Sequence, residues 1–65
     1  MSNAELGRKL RELRGDRPRS EVAKAIGVTV SALSMYENGR RVPRDQIKVK
    51  FSEYFQRPVQ EIFFS

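Results

Sequence analysis

The sequence predicts an all-α fold of five short helices, and three observations predict it. Gly15, Gly27 and Gly39 each follow a run of good helix formers, where a residue tolerant of positive φ ends a helix. Pro43 and Pro58 stand where new helices would start. Apolar residues recur at helical spacing almost everywhere, and only one segment alternates as a strand would.

In the first helix Leu6, Leu10 and Leu13 fall at i, i+4 and i+7 and form one apolar stripe. Arg8, Lys9, Arg11 and Glu12 occupy its other faces, with Glu5–Lys9 and Arg8–Glu12 spaced to pair along a solvated surface. Ser2 and Glu5 fit a capping box ahead of it. The second helix, from about Arg19 to Ile26, would bury Val22, Ala23 and Ile26. The third, from about Val30 to Asn38, turns Leu33 and Tyr36 inward, with Val28 filling the turn before it. In the fourth segment, from about Arg44 to Gln56, residues 47–51 alternate as a half-buried strand does. A lone strand has nothing to pair with, whereas Ile47, Phe51, Tyr54 and Phe55 make a helical stripe, so helix is the expectation. A last short turn covers Val59 to Phe64. All six aromatic residues lie between Tyr36 and Phe64, and Ile62-Phe63-Phe64 is too apolar for a free tail. One of Phe63 and Phe64 is expected to plug the core, leaving the other, with Val59 or Ile62, for a two-fold dimer contact, and the Val59-Ile62-Phe63-Phe64 patch as a whole is the expected seam.

Composition narrows the function. The chain has 65 residues, room for one domain over 1–65 and none for a multidomain enzyme. A domain this small buries only about 60% of its unfolded surface, so an additional staple is expected. Cysteine and histidine are both absent, which excludes disulfides, zinc fingers and histidine-activated nucleophiles, and Ser20, Ser31 and Ser34 lack a partner lysine in an SxxK arrangement. No catalysis, metal or cofactor is expected, and oligomerisation is the staple that remains. The net charge is +5, with pI near 10.3, and arginine dominates the cations. Arginine forks match phosphate oxygens bidentately, so the partner expected is nucleic acid before membrane. No apolar run approaches the roughly eighteen residues of a membrane span and no secretion signal is evident, so a cytoplasmic location is expected.

Counting from Arg19 over residues 19–38, Ala23 is fifth, Gly27 ninth, Leu33 fifteenth and Tyr36 eighteenth. Two helices crossing through a tight turn need a small residue where they approach and a positive-φ residue at the turn, and Ala23 and Gly27 supply them. The same spacing suits a helical hairpin with no ligand, and spacing alone leaves both readings open.

The run Arg19-Ser20-Glu21-Val22-Ala23-Lys24-Ala25-Ile26-Gly27-Val28-Thr29-Val30-Ser31-Ala32-Leu33-Ser34-Met35-Tyr36-Glu37-Asn38-Gly39-Arg40-Arg41-Val42-Pro43 resembles the helix-turn-helix core of the phage-repressor and Cro-like, or xenobiotic-response-element, family. The similarity covers about residues 5–64, and its most specific parts are Ala23 with Gly27-Val28, and Glu37 through Pro43. The resemblance implies a five-helix, lambda-repressor-like DNA-binding domain. Its second helix would span the DNA backbone and its third enter the major groove. It also implies a transcriptional regulator, usually a homodimer on a palindromic operator of double-stranded DNA.

Carried over by position, Thr29, Val30, Ser31, Ser34 and Met35 match groove-facing sites, while Arg19, Asn38, Arg40, Arg41 and Arg44 match sites near phosphates. Glu37 matches a residue paired with a base on the first helix, here Arg14. The chain departs from the family pattern at several points. Pro18 and Pro58 replace usual serine or threonine caps, Arg57 replaces an apolar residue, and the loop from Gly15 to Pro18 is short. Asp16, the Arg17 backbone or solvent would then have to cap the second helix. Val30 and Met35 are apolar where polar readers are common, which points to thymine methyls and leaves Ser31 and Ser34 as the polar readers. Arg40 and Arg41 follow a helix end with no acid nearby, which favours phosphate contact. The expected function is sequence-specific DNA binding as a dimeric regulator, repression before activation. The rival is a protein-interaction module, such as an antitoxin with secondary DNA binding, which an exposed apolar surface on the first helix would favour.

Overall fold

The computed structural model describes residues 2–64, so Met1 and Ser65 of the expected unit lie outside the described residues. Five helices run in the order α1 (Asn3–Arg14), α2 (Arg19–Ile26), α3 (Val30–Glu37), α4 (Asp45–Phe55) and α5 (Val59–Phe63). α1 packs on α3 and α5, α2 packs on α3 and α4, and α4 packs on α5.

Local chemistry sets the helix ends. Ser2 Oγ accepts from the Glu5 amide at 3.1 Å, the predicted N-cap of α1. Thr29 Oγ1 caps α3 in the same way, accepting from the Ala32 amide at 3.0 Å. α2, α4 and α5 begin at Pro18, Arg44 and Pro58 with no side-chain cap. Asp16 therefore does not cap α2. Gly27, at φ 87°, closes α2 in the left-handed conformation that the crossing to α3 requires. Gly15 has positive φ but ψ −129°, so it is not the left-handed helical stop expected of it. Gly39, at φ 72°, follows the C-cap Asn38 and ends α3 as expected, its amide donating to the Tyr36 carbonyl at 3.2 Å and the Arg40 amide to the Met35 carbonyl at 2.9 Å.

The fourth segment is helical. Phe51 is buried, Ile47, Tyr54 and Phe55 pack against the core, and Val49 faces solvent, which is a period of 3.6 and not of 2. Its C-cap is Gln56 at φ 55°, ψ 47°, a left-handed conformation that crowds any Cβ. Gln56→Gly is expected to stabilise the fold by about 1 kcal/mol and raise Tm by roughly 4–8 °C in a thermal melt; an unchanged or lower Tm would show that no strain resides there.

All five helices contribute to one core, made by Leu6, Leu10, Val22, Ala23, Ile26, Leu33, Tyr36, Phe51, Ile62 and Phe63. Phe51 is its hub. The ring meets Tyr36 edge-on at 6.2 Å, Phe63 edge-on at 5.8 Å and Phe55 in a stack at 6.2 Å, which ties α3, α4 and α5 together. Phe63 is thus the plug and Phe64, 61% exposed, is the outer ring, with the Lys48 ammonium 5.0 Å from its centroid. Ile62 and Phe63 are 1% and 7% exposed, which corrects their assignment to a dimer seam: an apolar side chain already sealed inside its own core cannot face a partner.

The charged surface of α1 also differs from expectation. Arg8 and Glu12 form no ion pair among the described residues. Lys9 instead donates to the Glu61 carbonyl on α5, Arg11 to Asn38 and Arg14 to Glu37. A second stripe, Asn3, Gly7, Arg11 and Arg14, meets the C-terminal end of α3. Gly7 makes that meeting possible. A Cβ there would lie 2.7 Å from the Glu37 carbonyl carbon and 2.9 Å from the Tyr36 carbonyl oxygen. At the same seam Gly39, with φ 72°, would set a Cβ 3.0 Å from the Asn3 carbonyl.

Candidate nucleic-acid interface

The exposed side of α3 follows from what its other side buries. Leu33, Tyr36 and Glu37 turn inward, leaving Val30 and Ser31 exposed and Ser34 and Met35 half-buried. Val30, Ser31, Ser34, Met35, Arg19, Asn38 and Arg40 line one shallow depression of about 350 Å³. All seven were nominated by the sequence, four as readers and three as phosphate ligands. Thr29, Arg41 and Arg44 line a second depression, of about 630 Å³, with Ala32, Tyr36, Ile47 and others. Cations therefore stand on both flanks of the exposed α3 face. Arg40, Arg41 and Arg44 are exposed and have no ion-pair partner among the described residues.

Behind this surface lies the one buried charge among the described residues, Glu37, whose side chain is fully enclosed. Arg14 meets it with two parallel bonds, Nε to Oε2 at 2.7 Å and Nη2 to Oε1 at 3.1 Å. Arg14 Nη1 also donates to the Arg17 carbonyl at 3.0 Å, which fastens the short loop before α2. Hydrogen bonding to Glu37 holds the Arg14 guanidinium above its ordinary pKa, against the opposing effect of burial. The pairing implied by the resemblance is present, and it has a third member that the sequence reading missed. Arg19 Nε donates to Glu37 Oε1 at 3.0 Å, so Arg19 both lines the depression and anchors α2 to α3.

Besides Arg19, three nominated residues, Thr29, Asn38 and Ser34, are engaged inside the protein. Thr29 Oγ1 accepts the Ala32 amide. The Asn38 amide accepts from Arg11 Nη2 at 3.0 Å and donates to Ser34 Oγ at 3.3 Å. Arg11, assigned from sequence to the solvated face of α1, is thereby joined to the candidate site. Arg17 is not: its guanidinium bonds the Leu13 and Arg14 carbonyls and lies over the Tyr54 and Phe55 rings at 5.8 and 5.7 Å.

Three cationic donors without acidic partners in the segment after α3, beside apolar and hydroxyl side chains of α3, suit a phosphate-lined groove that exposes base edges. Among the described residues no cluster of three His, Cys, Asp or Glu could hold a metal ion, and no helix is long and apolar enough to cross a membrane. A helix-turn-helix family model matches residues 8–62. No curated protein and no solved structure matches the chain.

Proposed function

Because the chain belongs to the helix-turn-helix family of the phage-repressor and Cro type, a family of DNA-binding transcriptional regulators, we propose that it places α3 in the major groove of an operator and represses transcription by occupying it. The observation that carries this reading is the gathering of four reader and three phosphate candidates around one depression on α3. Val30, Met35, Ser31 and Ser34 read bases, Thr29 stands at the helix start, and Arg19, Asn38, Arg40, Arg41 and Arg44 hold phosphates. The exposed residues of α1 are Asn3, Ala4, Glu5, Arg8, Arg11 and Glu12, which offer no large apolar surface and so favour DNA over a masked protein partner.

Phosphate contact and base reading separate in a salt titration. Arg41→Ala is expected to weaken binding to every duplex alike and to reduce the slope of log K against log salt by about one unit. Loss of affinity for one sequence only would make Arg41 a base reader, and an unchanged slope would take it off the DNA.

A single α3 spans only a few base pairs, so the reading includes a homodimer with half-sites about 34–36 Å apart. Each body measures 26 × 22 × 22 Å, and two in contact are long enough to hold both α3 helices at that separation. With Ile62 and Phe63 in the core, the seam narrows to Phe64 and the half-buried Val59. Phe64→Asp should sediment as a folded monomer with weak, non-cooperative binding, whereas Phe63→Asp should not fold, since it buries a charge against Phe51. An intact dimer of Phe64→Asp would move the seam elsewhere, and a tight wild-type monomer on one half-site would defeat the dimer.

A further inference from the structure

We propose that Arg11 is a positioning residue that fixes the hydrogen-bond polarity α3 presents to a base, through Asn38 to Ser34. The proposal rests on the DNA-reading function above and specifies what is read. A guanidinium carries donors and no acceptor. Arg11 Nη2, 3.0 Å from the Asn38 side chain, can therefore face only its carbonyl oxygen. The Asn38 amide nitrogen is then turned to Ser34 Oγ at 3.3 Å, and a nitrogen bearing only protons obliges that oxygen to accept. The orientation follows from the chemistry of the first donor in the chain.

The consequence lies at the far end of the relay. With a lone pair of Ser34 Oγ engaged, its proton is turned away from Asn38, and it has no other bond among the described residues. Ser34 thus offers a donor to the groove. Thr29 has the same polarity, its oxygen accepting from the Ala32 amide. Purine N7, guanine O6 or thymine O4 takes that proton, whereas the amino group of cytosine can use only the remaining lone pair of the oxygen and leaves the proton unpaired. Beside Val30 and Met35, which suit a methyl group, the base that satisfies both demands is thymine.

The test is an inversion of the relay. Asn38→Asp keeps an acceptor for Arg11 but removes the donor to Ser34, so the serine proton turns inward and the groove meets lone pairs. Sites would be selected from random duplexes for wild type, Asn38→Asp, Arg11→Ala, Arg11→Lys and Ser34→Ala, and single-base variants of the best site titrated. Thermal melts would confirm that each variant is folded. Ser34→Ala identifies the base pair concerned, as the position where preference flattens. There, wild type should disfavour cytosine by about three- to tenfold, the worth of one hydrogen bond. Asn38→Asp should reverse that ratio in favour of an amino-bearing base. Its extra negative charge weakens all duplexes and cancels from the ratio. Arg11→Ala should bring the ratio towards one while other positions keep theirs, and Arg11→Lys, also donor-only, should restore it. A residue that merely supports the fold would lower affinity or Tm and leave that ratio alone, so an unchanged ratio in Asn38→Asp and Arg11→Ala overturns the proposal. A wild-type chain that binds no duplex selectively overturns the DNA-reading function itself and this inference with it.

Discussion

Glu37→Ala is expected to destabilise the protein by about 3–5 kcal/mol. That is a large share of the total stability of a chain this size, on the order of 3–10 kcal/mol. The carboxylate is fully enclosed and takes three bonds from two arginines. Its removal strands the Arg14 guanidinium, whose side chain is only 14% exposed, between α1 and α3, while Arg19, at 36%, can turn to water. The stranded charge dominates the loss. The double variant Arg14→Met/Glu37→Leu should therefore recover roughly half or more of it, because replacing both members leaves no uncompensated charge. Urea unfolding of the three proteins decides this. A Glu37→Ala midpoint near wild type would mean that Arg14 reaches solvent freely.

Gly7→Ala is the second large effect, and its sign is contrary to helix propensity. In an open helix the change would stabilise by about 1 kcal/mol. Here the new methyl would press on the carbonyls of Tyr36 and Glu37, which are backbone atoms and cannot rotate aside. Overpacking strain of about 3 kcal/mol outweighs the propensity gain and leaves a net loss of roughly 2 kcal/mol. The shift also draws α1 away from α3, lengthening the Arg14–Glu37 and Arg11–Asn38 bonds. A Gly7→Ala protein as stable as wild type in urea would show that the seam between α1 and α3 is soft.

The helices themselves were legible in the sequence because glycine and proline punctuate them and leucine, valine and phenylalanine repeat at helical spacing. The positions of Leu6, Leu10, Val22, Ala23, Ile26, Leu33, Tyr36 and Phe51 in the core follow from that spacing. The stripe through Asn3, Gly7, Arg11 and Arg14 was not legible. It is polar and has no hydrophobic period, and a glycine inside a helix reads as a weak position until its neighbour's backbone is known. Charge pairs at i, i+4 were the wrong guide on α1 for the same reason: Lys9, Arg11 and Arg14 find acceptors on other helices. At the C-terminus five residues are too few to establish a phase, so Phe63 and Phe64 could be told apart only by packing against Phe51. The interface residues came from the resemblance. Arg11, and the bond that ties Arg19 to Glu37, came from geometry.

Only α1 and α3 hold their first turns with a side-chain cap; α2, α4 and α5 start from Pro18, Arg44 and Pro58 with none. Helices of five to eleven residues without caps do not persist alone. Each exists because its neighbours do, so the α3 surface has no life apart from the whole body. For a cell, the supply of working regulator is then the folded fraction of the chain. A change that lowers stability without altering the α3 surface would then act on gene expression as dosage: fewer folded copies with the same surface.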